Sequence, residues 1–320
     1  MSRAPRPACV VYRALGLGDF LTGVPAFRAL VRAFPEHRRL LAAPAALAPL
    51  LPLTGALDGI VATEPLSPVT VPFPVDTGVN LHGRGPQSHR ALLAAGPRRL
   101  IAFAHPEIPQ SSGGPAWAPD VHETVRWCRM LEAHGIPADP GDLLLSPPGI
   151  PPPCGAGGAT VIHPGAASEA RRWPPQRWAR VAAREWDAGR PVVITAGPGE
   201  EGLAAEVADA AGLSPRDVVA DLDVLQLAAL VAGAGRVLSG DTGIAHLAAA
   251  FRVPSITLFG PTSPALWGPP ANGPHIVLWA GTTGDPHAGE ADPGLLRITV
   301  EDVLEALDRL EDAAVTAPSS

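Results

Sequence analysis

The run Ser239-Gly240-Asp241-Thr242-Gly243-Ile244-Ala245-His246-Leu247-Ala248-Ala249-Ala250-Phe251-Arg252-Val253-Pro254-Ser255-Ile256-Thr257-Leu258-Phe259-Gly260-Pro261-Thr262-Ser263-Pro264 decides the fold. Apolar Val237 and Leu238 lead into Ser239-Gly240, the mark of a strand ending in a tight turn. Asp241-Thr242-Gly243 then opens a helix whose Ile244, Leu247, Ala248 and Phe251 recur at helical spacing. Pro254 stops that helix, and Ser255 to Phe259 is a short β-rich run closed by Gly260-Pro261. Free backbone amides at such a helix start attract phosphate. Here they stand beside a carboxylate (Asp241), a hydroxyl (Thr242) and, one turn on, an imidazole (His246). That set suits a phosphate-bearing ligand with several hydroxyls.

Outward from this unit the same alternation repeats. Thr160–Ile162, Pro191–Thr195, Val218–Ala220 and Arg236–Leu238 read as strands. Pro174–Asp187, Glu200–Ala211, Val224–Val231 and Thr242–Phe251 read as the helices between and after them. Such βα repetition predicts a doubly wound parallel sheet, whose ligands bind at the carboxyl ends of the strands. The first half repeats the scheme. Ala8–Ala14 is a strand, Leu15-Gly16-Leu17-Gly18-Asp19 a glycine-rich turn, and Val24, Phe27, Leu30, Val31 and Phe34 one face of a helix with Pro25 near its start. Ile60–Ala62 and Val75–Leu81 are further strands, and His122–His134 is a helix capped by Gly135. Ser146–Gly158, crowded with Pro and Gly, is the linker. The expected domains are therefore 1–150 and 151–313, with an amphipathic final helix at 299–310 able to pack back toward the N-terminal domain and a loose tail over 314–320.

At 320 residues and 46% hydrophobic, the chain can fill two cores. A net charge of −7 argues against a general nucleic-acid surface. All 24 basic side chains are Arg, so a side-chain cation that meets phosphate must be Arg or protonated His. Cys9, Cys128 and Cys154 are few, scattered and odd in number, which fits a reducing cytoplasm. Arg13 interrupts the first apolar run before a signal-peptide core forms. The most apolar window, Leu40–Leu53, is broken by Pro44, Pro49 and Pro52, so no spanning helix is expected. Peripheral contact with a membrane stays open.

Three segments carry the candidate chemistry, and each has a plainer reading. Gly16 and Gly18 would let a backbone approach a ligand beside Asp19, or Asp19 simply caps a helix. His163-Pro164-Gly165-Ala166-Ala167-Ser168 leads to Arg171-Arg172-Trp173-Pro174; its small residues and arginines suit a pyrophosphate, or the pair is solvated and Trp173 is an anchor. Asp241, Thr242, Gly243 and His246 form the third, where a core histidine after an Asp cap is the alternative. Gly197-Pro198-Gly199-Glu200 could reach a base or ribose, although capping alone explains it. Asp221 and Asp223 suit capping better than a metal, and the ten histidines show no ligand spacing, so no metal is expected.

These segments resemble the bacterial heptosyltransferase family, glycosyltransferase family 9. Leu17-Gly18-Asp19-Phe20-Leu21-Thr22 with Pro25-Ala26-Phe27-Arg28-Ala29-Leu30 is similar to its N-terminal signature. Asn80-Leu81-His82-Gly83 with Ser88, the loop from His163 to Pro174, Asp241-Thr242-Gly243 with His246, Phe259-Gly260-Pro261-Thr262, and Leu296–Leu307 resemble further elements. The resemblance implies an α/β GT-B fold: two facing Rossmann-like doubly wound parallel-sheet domains with a cleft between them. It implies inverting transfer of a sugar, heptose from ADP-heptose, to an acceptor hydroxyl on a glycolipid, glycan or small natural product. It implies no metal and no cofactor beyond the nucleotide-sugar donor. By position, Asp19 matches the family's general base, and Arg171 stands where the family usually has a phosphate-binding Lys. Ala167 and Ser168 match pyrophosphate-loop residues; Asp241, Thr242, Gly243 and His246 match donor contacts; Glu200 matches a nucleotide contact. The alternatives are a GT-B-fold nucleotide-sugar epimerase or hydrolase, and a non-catalytic nucleotide-sugar-binding protein.

Overall fold

The computed structural model describes residues 6–316. The chain divides into two compact units, the first ending at Ser146 and the second beginning at Pro147. The first runs β1 (Ala8–Tyr12), α1 (Leu17–Thr22), α2 (Val24–Ala33), β2 (Arg38–Ala43), α3 (Leu51–Thr54), β3 (Gly59–Ala62), β4 (Val75–Asn80), α4 (Gln87–Leu93), β5 (Arg99–Ile101) and α5 (Glu123–Ala133). The second runs β6 (Thr160–His163), α6 (Pro175–Asp187), β7 (Val192–Thr195), α7 (Glu201–Ala210), β8 (Val218–Val219), α8 (Val224–Ala232), β9 (Arg236–Gly240), α9 (Gly243–Ala250) and β10 (Ser255–Phe259). It closes with α10 (Pro264–Trp267), β11 (His275–Trp279), α11 (Pro293–Arg297) and α12 (Val300–Thr316).

Both sheets are parallel throughout and wound in the same sense. The N-terminal order is β3-β2-β1-β4-β5; the C-terminal order is β11-β10-β9-β6-β7-β8. In each, the chain starts mid-sheet, builds one way, then crosses back to build the other. The crossing point opens a crevice at the carboxyl ends of two adjacent strands, β1 and β4 in one unit, β6 and β9 in the other. The β6–β9 register sets His163 beside Ser239, so the loops that leave these strands are neighbours.

Burial on both faces explains the continuous apolar strands. Val10, Tyr12, Leu40, Ala42, Val75 and Leu92 form part of one N-terminal cluster. Ile162, Ile194, Leu238, Ile256 and Leu258 centre the C-terminal core, with Trp173 and Trp178 edge-on at 4.9 Å. Trp173 is the anchor the plainer reading expected: it is buried, and its indole donates to the Ile298 carbonyl at 3.0 Å. α12 buries Val300, Val303, Ala306, Leu307 and Leu310 in this same C-terminal core. It runs to Thr316, so the start of the expected loose tail is helical; residues 1–5 and 317–320 lie outside the described residues. No helix among the described residues is long and apolar enough to cross a membrane.

Candidate functional site

The two crossing points gather the chemistry. In the N-terminal unit the expected turn over Leu15–Asp19 is shorter than the sequence suggests, because α1 already starts at Leu17. Gly18 and Asp19 thus sit in its first turn, and Gly16 is the N-cap residue. The capping reading of Asp19 holds in part: Asp19 is not the N-cap residue, yet its carboxylate meets the free amides of Gly16 and Asp19 at the helix start. The Asp19 side chain is 28% exposed. Burial raises its carboxyl above the ordinary value; Arg13 pulls it down, Glu123 pushes it up, and the amides of Gly16 and Asp19 pull it down further.

Sequence reasoning used Arg13 only to reject a signal peptide. In the structure Arg13 follows β1 with its side chain wholly buried. Its Nε donates to the Asp19 carbonyl and its Nη1 to the Leu81 carbonyl, which ties the loop after β1 to the loop after β4. Its Nη2 reaches Thr22 Oγ1 at 3.0 Å, Glu123 Oε1 at 3.0 Å and Asp19 Oδ1 at 3.3 Å. The guanidinium lies 5.0 Å from the centre of the Trp127 ring, whose Nε1 donates to Glu123 Oε1 at 2.8 Å. His82 stacks on Tyr12 with ring centres 4.5 Å apart, and burial with the nearby Arg13 charge lowers its pKa to about 4. A lone arginine at the end of an apolar strand was the available signal. Glu123 gave none, since its partner lies 110 residues away.

In the C-terminal unit Asp241 follows β9 and Arg171 lies in the loop after β6. Arg171 Nη1 donates to the Asp241 carbonyl at 3.2 Å. Gly240 lets the two loops approach closely here, since a Cβ would come within 3.1 Å of the Arg171 carbonyl. Asp241 is 8% exposed, and burial raises its carboxyl from 3.8 to about 6 against the pull of Arg171. Thr242 is the N-cap residue of α9, yet its hydroxyl makes no cap bond. Thr242 Oγ1 and Arg171 Nε are both buried without a hydrogen-bond partner among the described residues. Buried polar groups are seldom left so, which marks this spot as shaped for something else. Gly243 opens α9, and His246 sits one turn on, half-buried and edge-on to Trp267 at 5.9 Å.

Glu200 joins the loop after β6 to that after β7. Its carboxylate accepts the Gly197 amide at 3.0 Å, meets Arg172 Nη2 at 3.4 Å and lies 3.8 Å from His163 Nε2. Burial lowers the His163 pKa, and Glu200 opposes that. The pair Arg171-Arg172 is therefore built into the loop rather than solvated: Arg172 also bonds the Ala166 carbonyl at 3.0 Å and pairs with Glu169. His163, Thr195, Gly197, Asp221, Leu227 and Ile244 line a cavity of about 130 Å³ beside these groups. Ala167 is exposed on the loop. The Ser168 hydroxyl donates to the Pro286 carbonyl at 2.6 Å and so holds the segment after β11. Asp223 caps α8 with a reciprocal Gln226 bond, as the capping reading expected. Among the described residues no three His, Cys, Asp or Glu side chains are grouped to hold a metal ion.

Comparison with known proteins converges on one family. The family model described as "Glycosyltransferase family 9 (heptosyltransferase)" matches residues 154–292. Lipopolysaccharide heptosyltransferase 1 of Salmonella typhimurium is 36% identical over 99 residues, 31% of this chain and 31% of that protein. The chain thus matches about a third of the length of such a curated relative. The crystal structure of a family 9 glycosyltransferase from Veillonella parvula superposes with a TM-score of 0.78 at 18% identity, covering 97% of this chain and 98% of that one. The structure of E. coli ADP-heptose lps heptosyltransferase II gives 0.75 at 19% identity, covering 97% and 100%. Those likenesses carry the GT-B fold across the whole chain, with its two parallel-sheet α/β domains. Residues 154–292, which hold the Arg171, Glu200 and Asp241 constellation, are the part of the chain that is similar to glycosyltransferase family 9.

Proposed function

We propose that the chain is an inverting, metal-independent glycosyltransferase that moves heptose from ADP-heptose to an acceptor hydroxyl. The carrying observation is the pair of buried, unpartnered donors, Arg171 Nε and Thr242 Oγ1, where β6 and β9 release their loops next to the amides that start α9. Charge-assisted donors beside a helix start hold a diphosphate, and their buried surroundings strengthen them. Asp241, ionised above about pH 6, accepts sugar hydroxyls. Glu200 accepts a ribose hydroxyl beside the cavity next to His163, which takes the base.

In the reaction, an Asp19 oxygen takes the proton of the acceptor hydroxyl as the acceptor oxygen forms its bond to the anomeric carbon. The bond from that carbon to the diphosphate oxygen breaks on the opposite face, its electron pair staying with the diphosphate, and the configuration inverts. Arg171 and the α9 amides receive the growing charge, the task a divalent ion performs in other transferases. The raised Asp19 carboxyl makes it a stronger base than an ordinary aspartate while it stays reachable. Buried Cys9 and Cys128, free thiols pushed up to about 12, fit a cytoplasmic enzyme.

The test is calorimetry with ADP, GDP and UDP in the presence of EDTA, paired with release of ADP from ADP-heptose when lipopolysaccharide-core acceptors are added. ADP should bind best and chelator should not matter. Asp19→Asn should cut transfer by about 10²–10⁴-fold and leave ADP affinity unchanged. Full transfer by that variant removes Asp19 as the base, and undiminished function without any transfer favours a binding protein. ADP release without an acceptor favours a hydrolase.

A further inference from the structure

Asp19 and Glu123 are two carboxylates on one guanidinium, yet they are treated differently. Glu123 is enclosed, 12% exposed: Oε1 takes Arg13 and Trp127, and Oε2 takes Arg126 Nε at 3.1 Å. Asp19 gives Arg13 one oxygen at the long distance of 3.3 Å and keeps 28% of its side chain in the open. Arg13 itself has no freedom. Its donors bridge the loop after β1, the first turn of α1, the loop after β4 and α5, and Trp127 covers its face. A buried arginine held so firmly carries its partner's orientation with it.

We propose that Arg13, locked by Glu123 and Trp127, is the positioning residue for Asp19, fixing the direction of the open carboxylate and setting its proton affinity. The inference rests on the reading of Asp19 as base but concerns a property measurable without any transfer. The charged groups facing Asp19 are Arg13 after β1 and Glu123 on α5. His82, after β4, is held at a pKa of about 4 by burial and by the nearby Arg13 charge. The two charged neighbours pull in opposite directions, Arg13 toward the ionised form and Glu123 toward the protonated one.

The experiment is a carbon-13 NMR titration of the Asp19 carboxyl in the full chain, assigned by its loss in Asp19→Asn. Thermal melting and ADP affinity serve as checks that each variant is folded. In Arg13→Gln the Asp19 titration should move to higher pH, and in Glu123→Gln to lower pH. A packing defect alone would not send two neighbours' variants opposite ways. Unmoved titration in either folded variant, or movement of both in one direction, overturns the proposal. If Arg13→Gln does not fold, Glu123→Gln decides alone, and absence of a downward shift overturns it. The separate transfer assay on Asp19→Asn reports on the base assignment, so failure of one reading is not confused with failure of the other.

Discussion

Gly165 lies against the Glu200 carboxylate, and a methyl group there would overlap it. The Gly165 backbone is outside the left-handed region, so alanine meets no conformational penalty of its own. The displaced carboxylate gives up the Gly197 amide at 3.0 Å, a charge-assisted bond contributing about 1.5–3 kcal/mol. The contacts to Arg172 at 3.4 Å and His163 at 3.8 Å are longer and add little. Alanine narrows the unfolded ensemble and returns about 0.4–1 kcal/mol. The net cost of Gly165→Ala is therefore about 1–2 kcal/mol, which lowers the melting temperature by roughly 2–8 °C for a unit of this size. Thermal unfolding of Gly165→Ala, Glu200→Ala and the double variant is the assay. With Glu200 already trimmed, the methyl has room, so the double variant should melt no lower than Glu200→Ala alone, a strongly non-additive cycle. ADP affinity should fall about tenfold in each single variant if Glu200 holds the ribose, a loss of about 1.4 kcal/mol. Strict additivity, or an unchanged melting temperature for Gly165→Ala, would refute the steric argument.

Other outcomes follow from single groups. Burial raises Asp241 from 3.8 to about 6, so the folded chain holds that proton more tightly than the unfolded chain. Its contribution to stability falls as pH rises through that window and the penalty is complete at pH 7. Asp241→Asn should raise the urea midpoint at pH 7 and have little effect at pH 4; equal gains at both would contradict the burial argument. The same variant should bind ADP-heptose more weakly at pH 7 by calorimetry. Ser168→Ala should cost about 0.5–1.5 kcal/mol by losing the Pro286 bond, with faster amide exchange in the segment after β11 and little change in ADP affinity. Glu185, 1% exposed, accepts Thr160 Oγ1 at 2.6 Å and pairs with Arg190 at 3.2 Å and Arg236 at 3.6 Å. Glu185→Ala should cost about 1–3 kcal/mol in urea unfolding because the buried Thr160 hydroxyl loses its acceptor, while Glu311 still pairs with both arginines.

Much of the scaffold was legible because βα units announce themselves locally. Ser255–Phe259 is a strand over the expected residues, and α9 differs from the expected helix by one residue at each end, since Pro254 and Gly240 punctuate strongly. β2 was missed inside the Leu40–Leu53 window, where Ala and Leu favour no one conformation and strand, turn and short helix follow in quick succession. β5 is three residues long and opens on an exposed Arg99, too little to show a period. β11, an edge strand half-buried along its length, follows a Pro- and Gly-rich run that masks it. For the site, the sequence could name Asp241 and Glu200 because each follows a strand. It could not find Glu123 or the Pro286 partner of Ser168, which depend on folding across long separations.

Each unit wraps its own apolar interior, and the family signature falls entirely within the second. The proline-rich junction near residue 147 is therefore a natural crossover point for recombination. With Asp19, proposed as the acceptor's base, in the first unit and the proposed diphosphate contacts in the second, one genetic exchange there would supply a new acceptor preference while the proposed nucleotide pocket is inherited whole. A change of acceptor then needs fewer steps than remodelling one shared interior residue by residue.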